Sequence, residues 1–538
     1  MNAADLIARR LHDAGCRYAF GIPGGEVLTL LDALRRAGIR FVLTKHENAA
    51  GFLAEGVYQR TGAPGLMVAT LGPGATNAVN VVANAQQDRV PLIVLTGCVD
   101  EDEALCYTHQ VMDHGALFRS ITKASFRVPA RGAGLLADKA LAIALDGQPG
   151  PVHLDLPISI AATAQNDHTA PPRAPLSPVA PAGPDLERAR SWLAEAERPL
   201  MLAGIDAVNQ RAEIAVASFA RRLGVPLITT YKAKGLLPED DALALGGAGL
   251  SPVADQRLLP LVRRADLILL AGYDPIEMRA GWRDPWDPEK QRVVELSAVP
   301  NHHGMHQASL NFVCDLAAGL AALEQGVAPR THEGPTWPGG EPAAVKLALP
   351  GDFRIDESWG PAAIVQTVRA ALPRNGIATV DSGAHRILLS QLWDCSEPRS
   401  LLQSTGLCTM GCALPLAIGA KLAEPDRPVV AFTGDAGLEM VLGELATLRD
   451  LGLPVVIVVF VDESLALIDL KQRQRQLPAV GVDNGATDFA AVARALGGEG
   501  VSVASRDSLT SAMQAALAAE RFTIIACRID KAAYDGRL

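Results

Sequence analysis

The sequence has 538 residues and a formal net charge of −10; 49% of its residues are hydrophobic and 20% are charged. This length is too great for one hydrophobic core, so we expect about three domains. The acidic balance argues against a broad nucleic-acid surface and against binding to anionic membranes, and apolar runs of only strand length argue against a membrane-spanning helix.

The N-terminus and the cysteines favour a cytoplasmic protein. Residues 1–15 form an amphipathic pattern of mixed charge that differs from a signal peptide. The eight cysteines are scattered without a CxxC pair, which indicates reduced thiols rather than a disulfide framework or a metal site.

Residues 1–168 alternate helical patterns with short β-type runs, which predicts a parallel-sheet domain. One of these runs ends at Thr44, and Lys45-His46-Glu47-Asn48 then leads into a helix predicted over residues 49–59. Glu47 is therefore expected at a strand end and a helix start. An acid in this position can simply stabilise the first helical turn, so a capping role stands beside a functional one.

Two loops of the same domain carry further candidates. Residues 71–77, LGPGATN, form a Gly-rich turn that could bind an anion or pack closely against a ring. Residues 108–114, THQVMDH, form a polar loop that includes Gln110 and would overhang the same edge of the sheet. A solvated loop is the alternative there.

Two Pro-rich stretches divide the rest of the chain. Residues 170–185 and 326–352 are predicted linkers, which leaves a central domain over 186–326 and a third domain over 353–538. Each again alternates β-type and helical patterns. The predicted fold class is thus α/β, with three doubly wound parallel-sheet domains.

A strand–turn–helix–strand unit lies in the third domain. A strand is expected over 428–432, a helix over 438–451 and a second strand over 453–461. Parallel strands end at the same edge of a sheet, so the acids after the two strands should meet there. Asp435 and Asp462/Glu463 could bind Mg²⁺, and the small residues Gly434, Ala436 and Gly437 let backbone N–H groups approach a phosphate. An ordinary nucleotide-fold unit with a solvated acidic turn is the alternative.

Two more turns of this domain are expected at the same crevice. Val380-Asp381-Ser382-Gly383-Ala384-His385 ends one strand, where Gly383 and Ala384 can present N–H groups and His385 can donate to a phosphate oxygen. Cys408-Thr409-Met410-Gly411 precedes a helix; a lone Met in such a position usually belongs to the core.

Taken together, these motifs resemble the thiamine diphosphate (ThDP) enzymes of the acetolactate synthase group over essentially the whole chain. The similarity is greatest to the catabolic, FAD-independent acetolactate synthases, which the segment GYDPIE at 272–277 favours over the FAD-binding branch. The segments that carry the resemblance are FGIPGGEVLTLLDAL (20–34), KHENAA (45–50), LGPGATN (71–77), HQVMD (109–113), ITK (121–123), TTYKAKG (229–235), CTMGCALPLAIGA (408–420), GDAG (434–437) and LPVVIVVFVDES (453–464).

The resemblance implies roles for the candidate residues. Glu47 would hydrogen-bond N1′ of the aminopyrimidine and so favour the imino tautomer, whose 4′-nitrogen can remove the C2 proton of the thiazolium. Gln110 would lie near the reacting carbon. Met410 would enforce the bend between the two rings, and the carbonyl of Cys408 would accept from the 4′-amino group.

The resemblance also implies the cofactor's anchor. Asp435 would bind Mg²⁺, and the N–H groups of Ala436 and Gly437 would hold the diphosphate. Glu463 stands where we expect the second metal ligand, usually Asn, and Leu465 would supply a backbone carbonyl. The extra charge of Glu463 should weaken cofactor binding, and the apolar segment that follows it suggests an altered substrate choice.

Two classes of function follow from these expectations. The first is an enzyme that decarboxylates a 2-oxo acid such as pyruvate and joins the product to a second carbonyl; a simple decarboxylase or an acetyltransferase is the alternative within this class. The second is a catalytically weak ThDP-fold subunit, which Glu463 motivates. The family pattern also implies a homodimer or homotetramer whose active sites lie at the subunit interface.

Overall fold

Three parallel β-sheets organise the computed structural model, which describes residues 1–167, 177–330 and 337–538. Each sheet has six strands among the described residues, and one sheet lies within each of the ranges 1–168, 186–326 and 353–538. The predicted α/β class with three parallel-sheet domains is confirmed. Half of these strands are buried along their whole length, as expected for sheets that are covered by helices on both faces.

The first sheet has the strand order β2-β1-β3-β4-β6-β5. Its strands are β1 (Tyr18–Ile22), β2 (Arg40–Leu43), β3 (Gly65–Ala69), β4 (Leu92–Cys98), β5 (Ala124–Arg127) and β6 (Val152–Pro157). Its helices are α1 (Ala3–Asp13), α2 (Leu28–Arg36), α3 (Glu47–Thr61), α4 (Pro73–Asn77), α5 (Val79–Gln87), α6 (Glu101–Ala104), α7 (His114–Arg119), α8 (Ala133–Leu145) and α9 (Ile158–Ala162).

The central sheet has the order β12-β11-β10-β7-β8-β9, the arrangement of a dinucleotide-binding fold. Its strands are β7 (Pro199–Ala203), β8 (Leu227–Thr229), β9 (Ala244–Gly247), β10 (Leu267–Ala271), β11 (Arg292–Ser297) and β12 (Leu310–Val313). Its helices are α10 (Pro184–Glu195), α11 (Ile205–Asn209), α12 (Glu213–Leu223), α13 (Pro252–Arg264) and α14 (Leu316–Glu324).

The third sheet has the order β14-β13-β15-β16-β18-β17, which is the topology of the first sheet repeated. Its strands are β13 (Ile377–Val380), β14 (Leu401–Gln403), β15 (Val429–Gly434), β16 (Val456–Val461), β17 (Glu499–Val503) and β18 (Thr523–Arg528). The helices of this part are α15 (Glu341–Asp352), α16 (Pro361–Ala371), α17 (Ala384–Leu392), α18 (Ala413–Ala423), α19 (Asp435–Glu439), α20 (Glu444–Leu451), α21 (Ala466–Gln474), α22 (Phe489–Ala495) and α23 (Arg506–Ala518). Short 3₁₀ turns occur at Gly25–Val27, Tyr231–Ala233, Ala280–Trp282 and Lys531–Tyr534.

Two sequence predictions about elements were wrong. The second predicted linker, 326–352, contains α15, because Pro342 at the first helical turn and the apolar run that follows it favour a helix that packs on α13. The helix predicted over 438–451 is two helices, α19 and α20, separated near Gly443. Parts of both predicted linkers, 170–176 and 331–336, lie outside the described residues.

The first and third domains share one hydrophobic core through α3 and α18. The two helices cross at glycines: a Cβ on Gly419 would lie 2.1 Å from the carbonyl oxygen of Leu53, and a Cβ on Gly56 would lie 2.4 Å from that of Leu416. Such spacing leaves no room for a side chain at either position. Because Glu47 begins α3, this contact also fixes where its carboxyl stands relative to the third domain.

None of the helices in the described ranges is both long enough and apolar enough to span a membrane.

Candidate active site

One cavity of about 530 Å³ lies at the carboxyl ends of the third sheet's strands, with one wall from the central domain. The three turns that the sequence predicted to share a crevice all line it. The predicted cofactor or metal residues found there are Gly383, Ala384, His385, Cys408, Met410, Gly434, Asp435, Ala436, Gly437 and Leu465.

Asp381 ties these turns together. Its buried carboxylate lies 2.8 Å from His385 Nε2, accepts the N–H of Gly411 at 2.8 Å and accepts the hydroxyl of Thr433 at 3.0 Å. A Cβ at position 437 would lie 2.1 Å from Asp381 Oδ2, so only glycine fits there. The sequence places Asp381 at a strand end but does not predict that its carboxylate joins these turns.

His385 is fixed by the same carboxylate and by its ring packing. The imidazole is stacked on Phe460, with 5.2 Å between the ring centroids. Because Nε2 contacts Asp381, Nδ1 is the nitrogen left to face the cavity. A proton on Nδ1 would make it a donor to an anion held there.

Asp435 and Asp462 form a pair of carboxyl groups at the cavity wall. Asp435 accepts backbone N–H groups from Ala436 at 2.7 Å, from Glu463 at 2.7 Å and from Asp462 at 3.2 Å. Burial and the neighbouring Asp435 raise the pKa of Asp462 to about 8, and burial raises the pKa of Asp435. Two buried acids that repel each other would be stabilised as carboxylates by a divalent cation.

The structure does not support Glu463 as the second metal ligand, because it turns this side chain away from the cavity. Glu463 adopts the left-handed conformation with φ of 54°, so its neighbours Asp462 and Ser464 face inward. The carboxylate of Glu463 is 46% exposed and lies 3.6 Å from Arg528 Nη2. Of the two acids in this turn, Asp462 is the one that lines the cavity.

The carbonyl expected from Leu465 is also engaged elsewhere. It accepts the N–H groups of Ile468 and Asp469 at the start of α21, and the carbonyl of Glu463 accepts the N–H of Asn484. Ser464 lies between them and lines the cavity, with a buried hydroxyl that has no hydrogen-bond partner among the described residues. Among the described residues, no backbone N–H donates to the carbonyl of Ser464, in contrast to the carbonyls of Glu463 and Leu465.

The loop that carries Cys408 and Met410 is held by the first domain. Asp88 accepts two backbone N–H groups and one hydroxyl from Thr405 and Gly406, with the hydroxyl at 2.6 Å. Lys232 of the central domain lies 2.8 Å from Asp88 and 3.3 Å from Glu55 on α3. All three domains thus position this loop.

Glu47 and Gln110 adjoin the Gly-rich turn 71–77 and do not line the cavity of their own chain. Glu47 is buried and accepts a hydrogen bond from Asn77 Nδ2 at 3.0 Å. Gln110 is exposed in a left-handed conformation, and its carbonyl oxygen lies 2.8 Å from where a Cβ of Gly72 would stand. The structure therefore brings these two residues to one turn but not to Asp435.

A buried polar chain fixes the same turn from behind. The N–H of Gly72 donates to His114 Nε2 at 3.1 Å, and His114 Nδ1 lies 3.0 Å from Asp155. Thr96 donates to Asp155 and contacts His153, whose pKa burial lowers to about 4. His114, predicted in an overhanging loop, is instead an internal support.

Family models define the class of this protein. The model of the N-terminal TPP binding domain of thiamine pyrophosphate enzymes matches residues 1–117, the central-domain model matches 186–323, and the C-terminal TPP binding domain model matches 381–527.

Full-length relatives narrow the class. An acetolactate synthase of Bacillus subtilis is 30% identical over 553 residues, covering 98% of this chain and 93% of that protein. The catabolic acetolactate synthase of Raoultella terrigena is 29% identical over 543 residues, covering 98% and 95%. A probable acetolactate synthase large subunit of Methanocaldococcus jannaschii is 32% identical over 489 residues, covering 87% and 81%. The chain belongs to the acetolactate synthase group of thiamine pyrophosphate enzymes.

Proposed function

We propose that this chain uses ThDP and Mg²⁺ to decarboxylate a 2-oxo acid such as pyruvate and joins the remaining two-carbon unit to a second carbonyl. The observation that carries the proposal is the single cavity in which the carboxyl pair of Asp435 and Asp462 faces the small-residue turns at 383–385 and 434–437. Oxygen ligands beside exposed backbone N–H groups suit a metal-bound diphosphate.

The residues present fit this cofactor. Asp435, Asp462 and the carbonyl of Ser464 would hold Mg²⁺ in place of the expected Glu463 and Leu465. The turn at Gly383, with His385 Nδ1, would hold the diphosphate; the N–H of Ala436 already donates to Asp435. ThDP, when bound, supplies the carbon nucleophile and the electron sink that decarboxylation requires.

The remaining roles belong to side chains that orient the cofactor. Met410 would support the bend between its rings from the loop that Asp88 fixes. Glu47 would hold a proton at N1′ of the aminopyrimidine, and Gln110 would lie near the reacting carbonyl. The acetolactate synthase relatives show an enzyme, and the outward turn of Glu463 removes the reason for expecting a catalytically weak subunit.

We further propose that the active site is completed by a second copy of the chain. Glu47 and Gln110 do not line the cavity that holds Asp435, which supports a homodimer as the smallest active unit and allows a homotetramer. Mixing inactive Glu47→Gln and Asp435→Asn chains should restore part of the activity, because hybrid dimers carry one intact site. An active monomer in gel filtration, or no recovery on mixing, would contradict this arrangement.

A panel of 2-oxo acids tests the reaction itself. CO₂ release and product mass, measured with and without a second carbonyl compound, separate carboligation from simple decarboxylation and from acetyl transfer. ThDP binding is followed by fluorescence at millimolar Mg²⁺; absence of saturable binding would exclude the proposed function.

We also propose a cytoplasmic location. All eight cysteines are free thiols, which is typical of proteins in a reducing compartment.

A further inference from the structure

Part of the cavity wall is made by helix α21 and by residues of the central domain. Leu467, Leu470, Lys471 and Gln474 line the cavity with spacings of three and four residues, so they share one face of α21. Asp469 and Arg473, which do not line it, pair with each other at 2.8 Å. Helix α21 therefore presents Lys471 to the cavity, while Asp469 of the same helix pairs with Arg473.

A second cation comes to this wall from the central domain. Arg279 lines the cavity together with Leu250 and Pro252. Arg386, the third basic side chain of the lining with a permanent charge, is neutralised by Glu277. Within the described ranges, neither Arg279 nor Lys471 forms an ion pair with a carboxylate. Of the three basic side chains with a permanent charge in the cavity lining, Arg279 and Lys471 are thus the two without a carboxylate partner among the described residues.

We infer that Arg279 and Lys471 select an acceptor that carries two carboxylates, a 2-oxo dicarboxylic acid. This inference rests on the proposed function. The donor's carboxylate leaves as CO₂, and the turn at Gly383 with Mg²⁺ would serve the diphosphate, so we assign the two cations to the acceptor. One cation balances the carboxylate beside the keto group, and the second balances the distal carboxylate; paired, directional hydrogen bonds to carboxylates are what Arg provides best.

The reaction balances without another reactant. The bond between the donor's carboxylate and its C2 breaks and releases CO₂. A carbon–carbon bond forms between that C2 and the keto carbon of the acceptor, whose oxygen takes up one proton. The product keeps both carboxylates of the acceptor, so Arg279 and Lys471 keep their partners throughout.

A matched pair of acceptors tests the inference. Pyruvate labelled with ¹³C in its carboxylate is the donor, and 2-oxoglutarate is compared with 2-oxopentanoate, which has the same chain length but a methyl end. We expect kcat/KM for the dicarboxylic acceptor to exceed that for the other at least about tenfold, and the ratio to fall about tenfold in Lys471→Met and in Arg279→Met. Lys471→Arg should keep the preference.

Two controls make the test specific. Lys290→Met removes an exposed lysine that pairs with Asp287 outside the cavity, and it should leave the ratio unchanged. Glyceraldehyde 3-phosphate against glyceraldehyde asks whether the second anion is a phosphate ester; a preference in this pair alone would overturn the dicarboxylic assignment.

The remaining outcomes separate this inference from the proposed function. Equal use of the two 2-oxo acids by the wild type would overturn the inference while ¹³CO₂ release still supports the proposed function. Variants that lose ThDP affinity but keep the acceptor ratio would also overturn it, because the cations would then serve the diphosphate. Absence of ¹³CO₂ with saturating ThDP and Mg²⁺ would overturn the proposed function itself.

Discussion

Asp462 and Glu463 are adjacent acids with opposite surroundings. The left-handed backbone at Glu463 sends its carboxylate to solvent and to Arg528, while Asp462 stays beside Asp435. Sequence alone could place both acids at the end of β16, but it could not say which one faces inward. The choice depends on one backbone angle that a non-glycine residue adopts only when its surroundings impose it.

Replacing each acid in turn tests this assignment. Asp462→Ala should weaken Mg²⁺-dependent ThDP binding at least about tenfold, because it removes a metal ligand. Glu463→Gln should change that affinity less than about twofold, since its carboxylate is exposed and screened. Fluorescence titration with ThDP at several Mg²⁺ concentrations measures both, and an equal loss in the two variants would contradict the assignment.

The role that we propose for Glu47 in proton handling can be tested separately from cofactor binding. Glu47→Gln keeps a hydrogen-bonding side chain against Asn77 but cannot hold the acidic proton, so turnover should fall about 10²- to 10⁴-fold while ThDP still binds. CO₂ release is measured beside ThDP titration. Glu101→Gln, at a side chain that is 87% exposed, is the matched control. Unchanged turnover in Glu47→Gln would refute the role.

Asp255 gives the central domain a pH-dependent stability. Burial raises the pKa of Asp255 to about 6 although Trp282 Nε1 donates to it at 2.8 Å. Its folded pKa lies above the unfolded value, so stability that is present below pH ~4 is lost as pH rises through 6. Asp255→Asn should remove this loss, so the variant's free energy of unfolding, relative to that of the wild type, should rise by about 2 kcal/mol between pH 4.5 and pH 7.

Urea denaturation of the wild type and of Asp255→Asn at pH 4.5 and 7 measures the difference between the two pH dependences. Asp287→Asn, at a surface pair with Lys290, is the control and should leave the pH dependence nearly unchanged. A gain for Asp255→Asn that is equal at both pH values would contradict the explanation.

At the scale of elements, the crossing of α3 and α18 shows why some glycines are irreplaceable. Gly419→Ala would drive a methyl group into the carbonyl of Leu53, so the helices must separate, at a cost of about 1–3 kcal/mol. Gly351→Ala, also within a helix but with open space around its Cβ position, should be neutral or slightly stabilising. Thermal denaturation distinguishes them; similar melting temperatures would refute the close-packing argument.

Most elements around the site follow from local patterns in the sequence. The buried apolar runs of β15 and β16, the Gly434–Gly437 turn and the turn at Gly383 were predicted where the structure has them to within a few residues. The roles of Asp381 and Ser464 could not be predicted, because they depend on contacts between turns that are distant in sequence. The helix α15 was missed because flanking Pro and Gly residues suggested a linker.

At the scale of the whole molecule, Lys232 supplies the positive charge at the point where the three domains meet. Lys232→Met would leave Asp88 and Glu55 buried without a counter-charge, which should cost about 3–5 kcal/mol. Lys290→Met, at an exposed pair, should cost less than about 0.5 kcal/mol. Unfolding followed by tryptophan fluorescence measures the free energy of unfolding of both variants. Equal losses in Lys232→Met and Lys290→Met would mean that the burial of the Lys232 ion pairs does not contribute to stability.

The first and third sheets have the same strand order, so each chain has two similar sheets that carry different functional side chains. We call these two sheets, with the turns at the ends of their strands, platforms. One platform carries a glutamate and no acid pair, and the other carries the acid pair and no such glutamate. In the dimer that we propose, neither half can therefore change its chemistry alone, because a change in one platform is tolerated only if the platform of the second copy still fits it. Drift in this protein should accordingly be slowest where the two platforms face each other and fastest on the outer helices.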